Sequence, residues 1–195
     1  MLERTIHDNP RFAQPLLSLA AVRIQERDLD AATEAYTKVL ALEPDNVEAH
    51  RGLGDVAFIR GDLQPAEEHY ARIVQLDAAD VAALTKLGVV KMRAGRRDEA
   101  IALLHRAVER DPSNAEALLY LAGALTATGR YAEALPYFER ALASGPRTTM
   151  ALNGLALTRL ELGDRAGATT AFRESLRLDP DQPDVARTLR DLGRP

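Results

Sequence analysis

"TKLGVVKMRAGRRDEA" at residues 85–100 is the stretch on which the reading of this chain depends. Alone, it admits a glycine-rich phosphate loop or a basic nucleic-acid strip, because Gly88 and Gly95 stand among Lys86, Lys91, Arg93, Arg96 and Arg97. Stepping along the chain in units of 34 residues removes both readings. Leu87 and Gly88 are matched by Leu19–Ala20, Leu53–Gly54, Leu121–Ala122 and Leu155–Ala156. Gly95 is matched by Gly61, Gly129 and Gly163, and Ala100 by Ala32, Ala66, Ala134 and Ala168. Tyr36, Tyr70, Leu104, Phe138 and Phe172 make a third series. Pro10, Pro44, Pro112, Pro146 and Pro180 close the units, with Ala78 the one exception. Five full copies span 13–182.

Each copy reads as two helices. In 115–148, Leu118, Leu121, Ala122 and Leu125 fall at helical spacing on one apolar stripe, and Ala134, Leu135, Phe138, Ala141 and Leu142 form a second. Gly129 between them suits the left-handed residue that ends many helices, and Pro146 follows where no further amide donor is needed. Asn46, Asp80 and Asn114 precede first helices, and Asp28, Asp62 and Asp164 precede second ones; all are good N-cap types. The small residues let two antiparallel backbones approach, with the large apolar residue of one filling the groove of the other. One hairpin cannot bury its own stripe, so copies must stack. Thus "TKLGVVKMRAGRRDEA" is a helix, a turn and the start of the next helix.

Composition agrees. Of 195 residues, 46% are hydrophobic and only 5% aromatic, which suits an Ala/Leu-rich helical protein better than a β-sandwich. A net charge of −4 gives no overall pull toward nucleic acid or anionic membrane. The absence of cysteine excludes disulfides, thiolate metal sites and cysteine nucleophiles. "MLERTIHDNPRF" at the start lacks an apolar core of signal-peptide length, and no run reaches the length of a membrane span. A soluble chain is expected.

The sharper chemical readings are weak. "GLGDVA" at 52–57 formally matches a dinucleotide fingerprint, but that motif must follow a strand and open a helix, whereas here it falls inside one. His7, His50, His69 and His105 include no pair at the spacing of a zinc helix, so no metal site is expected; His50 reads as interhelix packing, His69 and His105 as solvated. "DPDQPD" at 179–184 lacks the Gly and Glu of a calcium loop. Ser18, Ser113, Ser144 and Ser175 have no nucleophile elbow around them. The expectation is a non-catalytic protein without cofactor.

The register of "LTKLG" (84–88), Gly95, Ala100, Leu104, Ala107 and Pro112, and of "LLYLA" (118–122), Gly129, Ala134, Phe138, Ala141 and Pro146, resembles the tetratricopeptide repeat family. The resemblance covers nearly the whole chain. It implies an all-α fold, a right-handed α-solenoid of helix-turn-helix repeats: a partial repeat at 1–12, five repeats at 13–182, and a C-terminal capping helix at 183–195. The departures are Arg27 in place of the turn glycine, where a differently built turn is expected, and Arg23, Ala57, Lys91, Leu125 and Arg159 where a tyrosine is usual.

The same resemblance implies that the free face of each first helix lines a concave groove for a peptide or helix of a partner protein. The matching places are Gln14, Leu17 and Ala21; Glu48, Arg51, Asp55 and Phe58; Thr85, Lys86, Val89, Met92 and Arg93; and Glu116, Leu119, Tyr120, Gly123, Asn153 and Leu157. Arg51, Lys86 and Arg93 are expected to hold a carboxylate, and Gly123 and Gly154 to admit close approach of a ligand. Leu17 and Ala21 cannot serve in the carboxylate clamp by which some relatives hold chaperones. A second expectation is the repeat region of a larger protein, an enzyme among the options, and a third is self-association through the terminal repeats.

Overall fold

The computed structural model describes residues 13–193, which form eleven α-helices and, among the described residues, no strand. The segment read as a partial repeat, residues 1–12, lies outside them. Two compact units divide the chain at Gly95 and Arg96. The first holds α1 (Ala13–Gln25), α2 (Leu29–Leu42), α3 (Val47–Arg60), α4 (Leu63–Leu76) and α5 (Val81–Arg93), each packed on the next. The second holds α6 (Arg97–Arg110), α7 (Ala115–Ala127), α8 (Tyr131–Ser144), α9 (Thr149–Glu161), α10 (Arg165–Leu178) and α11 (Pro183–Leu192). These also pack in sequence, and α7 additionally touches α9. Helical hairpins repeated in this way are the fold of an α-solenoid.

The starts and stops follow from local chemistry. Asn46, Asp80, Asn114 and Thr148 each accept a hydrogen bond from the amide of Ala49, Ala83, Ala117 and Ala151, closing an otherwise orphaned donor at the start of α3, α5, α7 and α9. Asp28 and Asp164 do the same for α2 and α10, while Asp62, expected as a cap, makes no side-chain bond. Gly61, Gly95, Gly129 and Gly163 take the left-handed conformation with φ of 85°, 77°, 75° and 84°. The Asp62 amide then donates to the Ala57 carbonyl at 2.9 Å and Gly61 to Phe58 at 3.1 Å.

Arg27 builds the same turn. Its φ is 61°, and Asp28 donates to Arg23 at 2.9 Å while Arg27 donates to Ile24 at 3.0 Å. The different turn expected there does not occur, because the surrounding bonds impose the left-handed geometry and the side chain bears its steric cost, about 1 kcal/mol.

Both stripes of 115–148 face inward: Leu118, Leu121, Ala122 and Leu125 of α7 are buried, as are Ala134, Phe138, Ala141 and Leu142 of α8, while Leu135 is only half-buried. The alanine series Ala32, Ala66, Ala100, Ala134 and Ala168 is wholly shielded, which permits the close backbone approach. "GLGDVA" lies in mid-helix, and its glycines are sockets for aromatic rings. A Cβ on Gly52 would overlap the ring of Tyr36, and one on Gly54 would lie 2.8 Å from Tyr70 Cε1.

Two histidines meet between α3 and α4. His50 Nε2–H donates to the Pro44 carbonyl at 2.9 Å, so its Nδ1 carries the lone pair and accepts from His69 Nδ1–H at 3.0 Å. His69 is therefore half-buried and engaged, not solvated as its sequence position implied. Burial, helped by the neighbouring His50, holds the His69 imidazole below its ordinary pKa.

Candidate partner-docking faces

In the first unit the free sides of α3 and α5 carry most of the charges singled out from the sequence, and the structure engages them internally. Arg51 Nη2 bonds Asp80 Oδ2 at 2.7 Å, while the other Asp80 oxygen caps α5. Lys86 Nζ lies 3.6 Å from Asp55, which also accepts the Tyr70 hydroxyl at 2.6 Å. Burial and that hydrogen bond push the Tyr70 phenol far above its usual pKa. The Arg93 guanidinium stands 4.3 Å over the Phe58 ring. The three cations expected to hold a partner's carboxylate thus already have partners within the chain. Val89 and Met92 are half-buried, and Thr85 is buried with its hydroxyl on the Val81 carbonyl. Leu17, read as a groove residue, is buried in the core. What stays open is a depression of about 320 Å³ beside Ile24, Phe58 and Ile59, with Asp55 and Lys86 at its edge.

The second unit differs at the same places of the repeat. Asn153 of α9 corresponds to Arg51, and it too bonds a residue 29 positions ahead: its Nδ2 donates to Gln182 Oε1 at 2.7 Å. Gln182 Nε2 donates in turn to the carbonyls of Ser175 at 3.1 Å and Asp179 at 2.7 Å, tying the start of α11 to α10. Asn153 is therefore a junction residue, and its Oδ1 is buried without a partner among the described residues.

In α7 the equivalent residue is Leu119, which can make no such tie. There the junction stays open as a cavity of about 360 Å³ lined by Leu119, Tyr120, Ala141, Pro146 and Met150, with Glu116 at its rim. Met150 is 60% exposed and Leu157, two turns further along α9, 47%. The two glycines on these helices part company. A Cβ on Gly154 would lie 2.5 Å from the Phe138 ring, so its role is internal packing rather than ligand approach. A Cβ on Gly123 would meet nothing within 4 Å.

The charges of this face also sort simply. Arg159 bonds Glu139 at 2.9 Å, and Arg147, next to the cavity in sequence, is held by both oxygens of Glu174, one at 2.7 Å. Glu116 and Glu161 have no ion pair among the described residues. Sequence reading missed Met150, Pro146 and Ile59. Met150 was within reach, since it stands 34 residues after Glu116 in the same register.

No group of side chains among the described residues could hold a metal ion, and no helix is long and apolar enough to cross a membrane. A family model described as tetratricopeptide repeat matches residues 2–81, 85–147 and 127–183. Among solved structures, pilF of Pseudomonas aeruginosa superposes with a TM-score of 0.87 at 19% identity, over 97% of this chain and 86% of that one. YrrB, a TPR protein with an unusual peptide-binding site, gives 0.77 at 21% identity over 97% of both chains. MamA from Desulfovibrio magneticus, from its residue 41 to the end, gives 0.77 at 17% identity over 87% of this chain and 96% of that one. At these identities the likeness is one of fold. No curated protein sequence matches the chain.

Proposed function

The chain belongs to the tetratricopeptide repeat family, and from that premise we propose that it docks a peptide segment or helix of a partner protein on the first-helix face of its second unit. Proteins of this family are in general non-catalytic protein–protein interaction scaffolds. The finer reading, which face and which residues, rests on one observation. Met150 lines the open cavity at Leu119 and Tyr120 and stands exposed, as does Leu157 two turns further along α9. Large apolar side chains left in water around a concavity are what a partner's anchor residue covers. The space over Gly123 lets a partner backbone come close, which offsets the helix propensity a glycine forfeits. In the first unit Arg51, Lys86 and Arg93 serve the fold, and Asp55, Phe58, Val89 and Met92 form at most a secondary contact. The five hairpins are read as five repeats, with α11 as their cap.

The test is capture from cell lysate by three immobilised proteins, read by mass spectrometry. A protein retained by wild type should be lost on the Met150→Glu, Leu157→Glu double variant. It should be kept by Arg51→Glu, Lys86→Glu, Arg93→Glu, although that triple variant is less stable for want of its pairs with Asp80 and Asp55. Loss on the triple variant alone would move the docking face to the first unit.

A further inference from the structure

Resting on that docking face, we infer that the partner segment is basic as well as apolar: an apolar anchor side chain seated in the Leu119–Tyr120–Met150 cavity, flanked by a lysine or arginine that meets Glu116. The anchor follows from the lining. Leu119, Tyr120, Ala141, Pro146 and Met150 form the apolar part of a wall around about 360 Å³, room for one large side chain; Glu116, Thr148 and Thr149 also line it, and no cation does.

The charge of the segment follows from which charged side chains of this face lack a partner. Arg159 is engaged by Glu139 and Arg147 by Glu174, while Arg140 donates to the Pro112 carbonyl and lies over the Tyr137 ring. The carboxylates carried by these two helices are Glu116 on α7 and Glu161 on α9, and neither has an ion pair among the described residues. Their directions agree with the cavity. At about 100° per residue, Glu116 and Gly123 of α7 lie within about 20° of one line along the helix, and Met150, Leu157 and Glu161 of α9 do the same. The face therefore offers an apolar strip with a carboxylate at the start of α7 and another at the end of α9. A partner carboxylate beside Glu116 would meet repulsion and no unpaired cation on α7 or α9, whereas a basic residue beside the anchor completes a charge pair.

Selection of a random dodecapeptide phage library on the full chain tests this, run on wild type, on Glu116→Lys, and on the Met150→Glu, Leu157→Glu variant. All three positions are exposed, and thermal melts confirm that each variant is folded. Wild type should enrich Leu, Ile, Met or Phe with Lys or Arg beside it. Glu116→Lys should keep the apolar preference and weaken binding of the selected basic peptides roughly three- to tenfold, the scale of an exposed charge reversal. An apolar motif without charge preference, or one unchanged on Glu116→Lys, overturns the basic partner. If that motif still disappears on Met150→Glu, Leu157→Glu, the docking face itself survives. No enrichment on wild type, or a motif that persists on the double variant, overturns both.

Discussion

The free faces of α3 and α5 in the first unit and of α7 and α9 in the second occupy the same places of the repeat, yet their side chains are engaged differently. Arg51 and Asn153 reach forward to the residue that opens the next helix, Asp80 and Gln182, and shut the junction. Leu119 cannot, and its junction is open and largely apolar. The first face is rich in charge and its cations Arg51, Lys86 and Arg93 are engaged within it, although Glu48, at the repeat place of Glu116, has no ion pair among the described residues. The second is poor in charge, and the charges it leaves unpaired are acidic. The lesson is that a charged residue on a repeat face says little about ligands until its internal partner is known. An exposed apolar residue beside a gap says more.

The comparison can be strained most strongly from the core of the second unit. Phe138→Ala removes a ring that is 2% exposed and empties the socket above Gly154; a loss of about 3–5 kcal/mol in urea denaturation is expected. Gly154→Ala pushes a methyl into that ring, with an expected cost of about 1–3 kcal/mol. Gly123→Ala, on the neighbouring helix, meets nothing and should raise stability by about 1 kcal/mol while weakening partner binding. A destabilised Gly123→Ala variant would mean that the glycine has an internal role. In the first unit Arg27→Gly relieves the left-handed strain and should add about 0.5–1 kcal/mol to the denaturation free energy.

The smallest effect should be one of pH, confined to the first unit. The folded-state pKa of His69 is depressed below its ordinary 6.5, so the unfolded chain binds the proton first. The stability that neutral His69 contributes is complete above about pH 6.5 and falls as the pH drops toward the folded value. Amide exchange of α3 and α4 should quicken over that range, and His69→Gln should flatten the dependence.

The periods of Leu, Ala, Gly and Pro made the hairpins legible, because each marks a backbone requirement that one residue type meets: close approach, a left-handed turn, a helix end. That signal is local and survives without coordinates. Residues on the face were less legible. Arg51, Lys86 and Arg93 looked like ligand contacts because their partners, Asp80, Asp55 and Phe58, lie 29 to 35 residues away, and no spacing announces the pairing. Gly154 and Gly123 are both mid-helix glycines, but Gly154 shares the repeat place of Gly52 and abuts a ring of the preceding helix as Gly52 does, whereas Gly123 stands three places further along and meets nothing. Arg27 was misread for the opposite reason: the turn is set by backbone bonds that an arginine can be made to accommodate.

The two faces can be compared in one spectrum, since the described residues hold just two methionines, Met92 on the first face and Met150 on the second. With methyl-labelled methionine, titration of a peptide selected on the full chain should shift or broaden the Met150 signal and leave Met92 in place. Movement of Met92 with Met150 unchanged would contradict the account and return the docking site to the charged face.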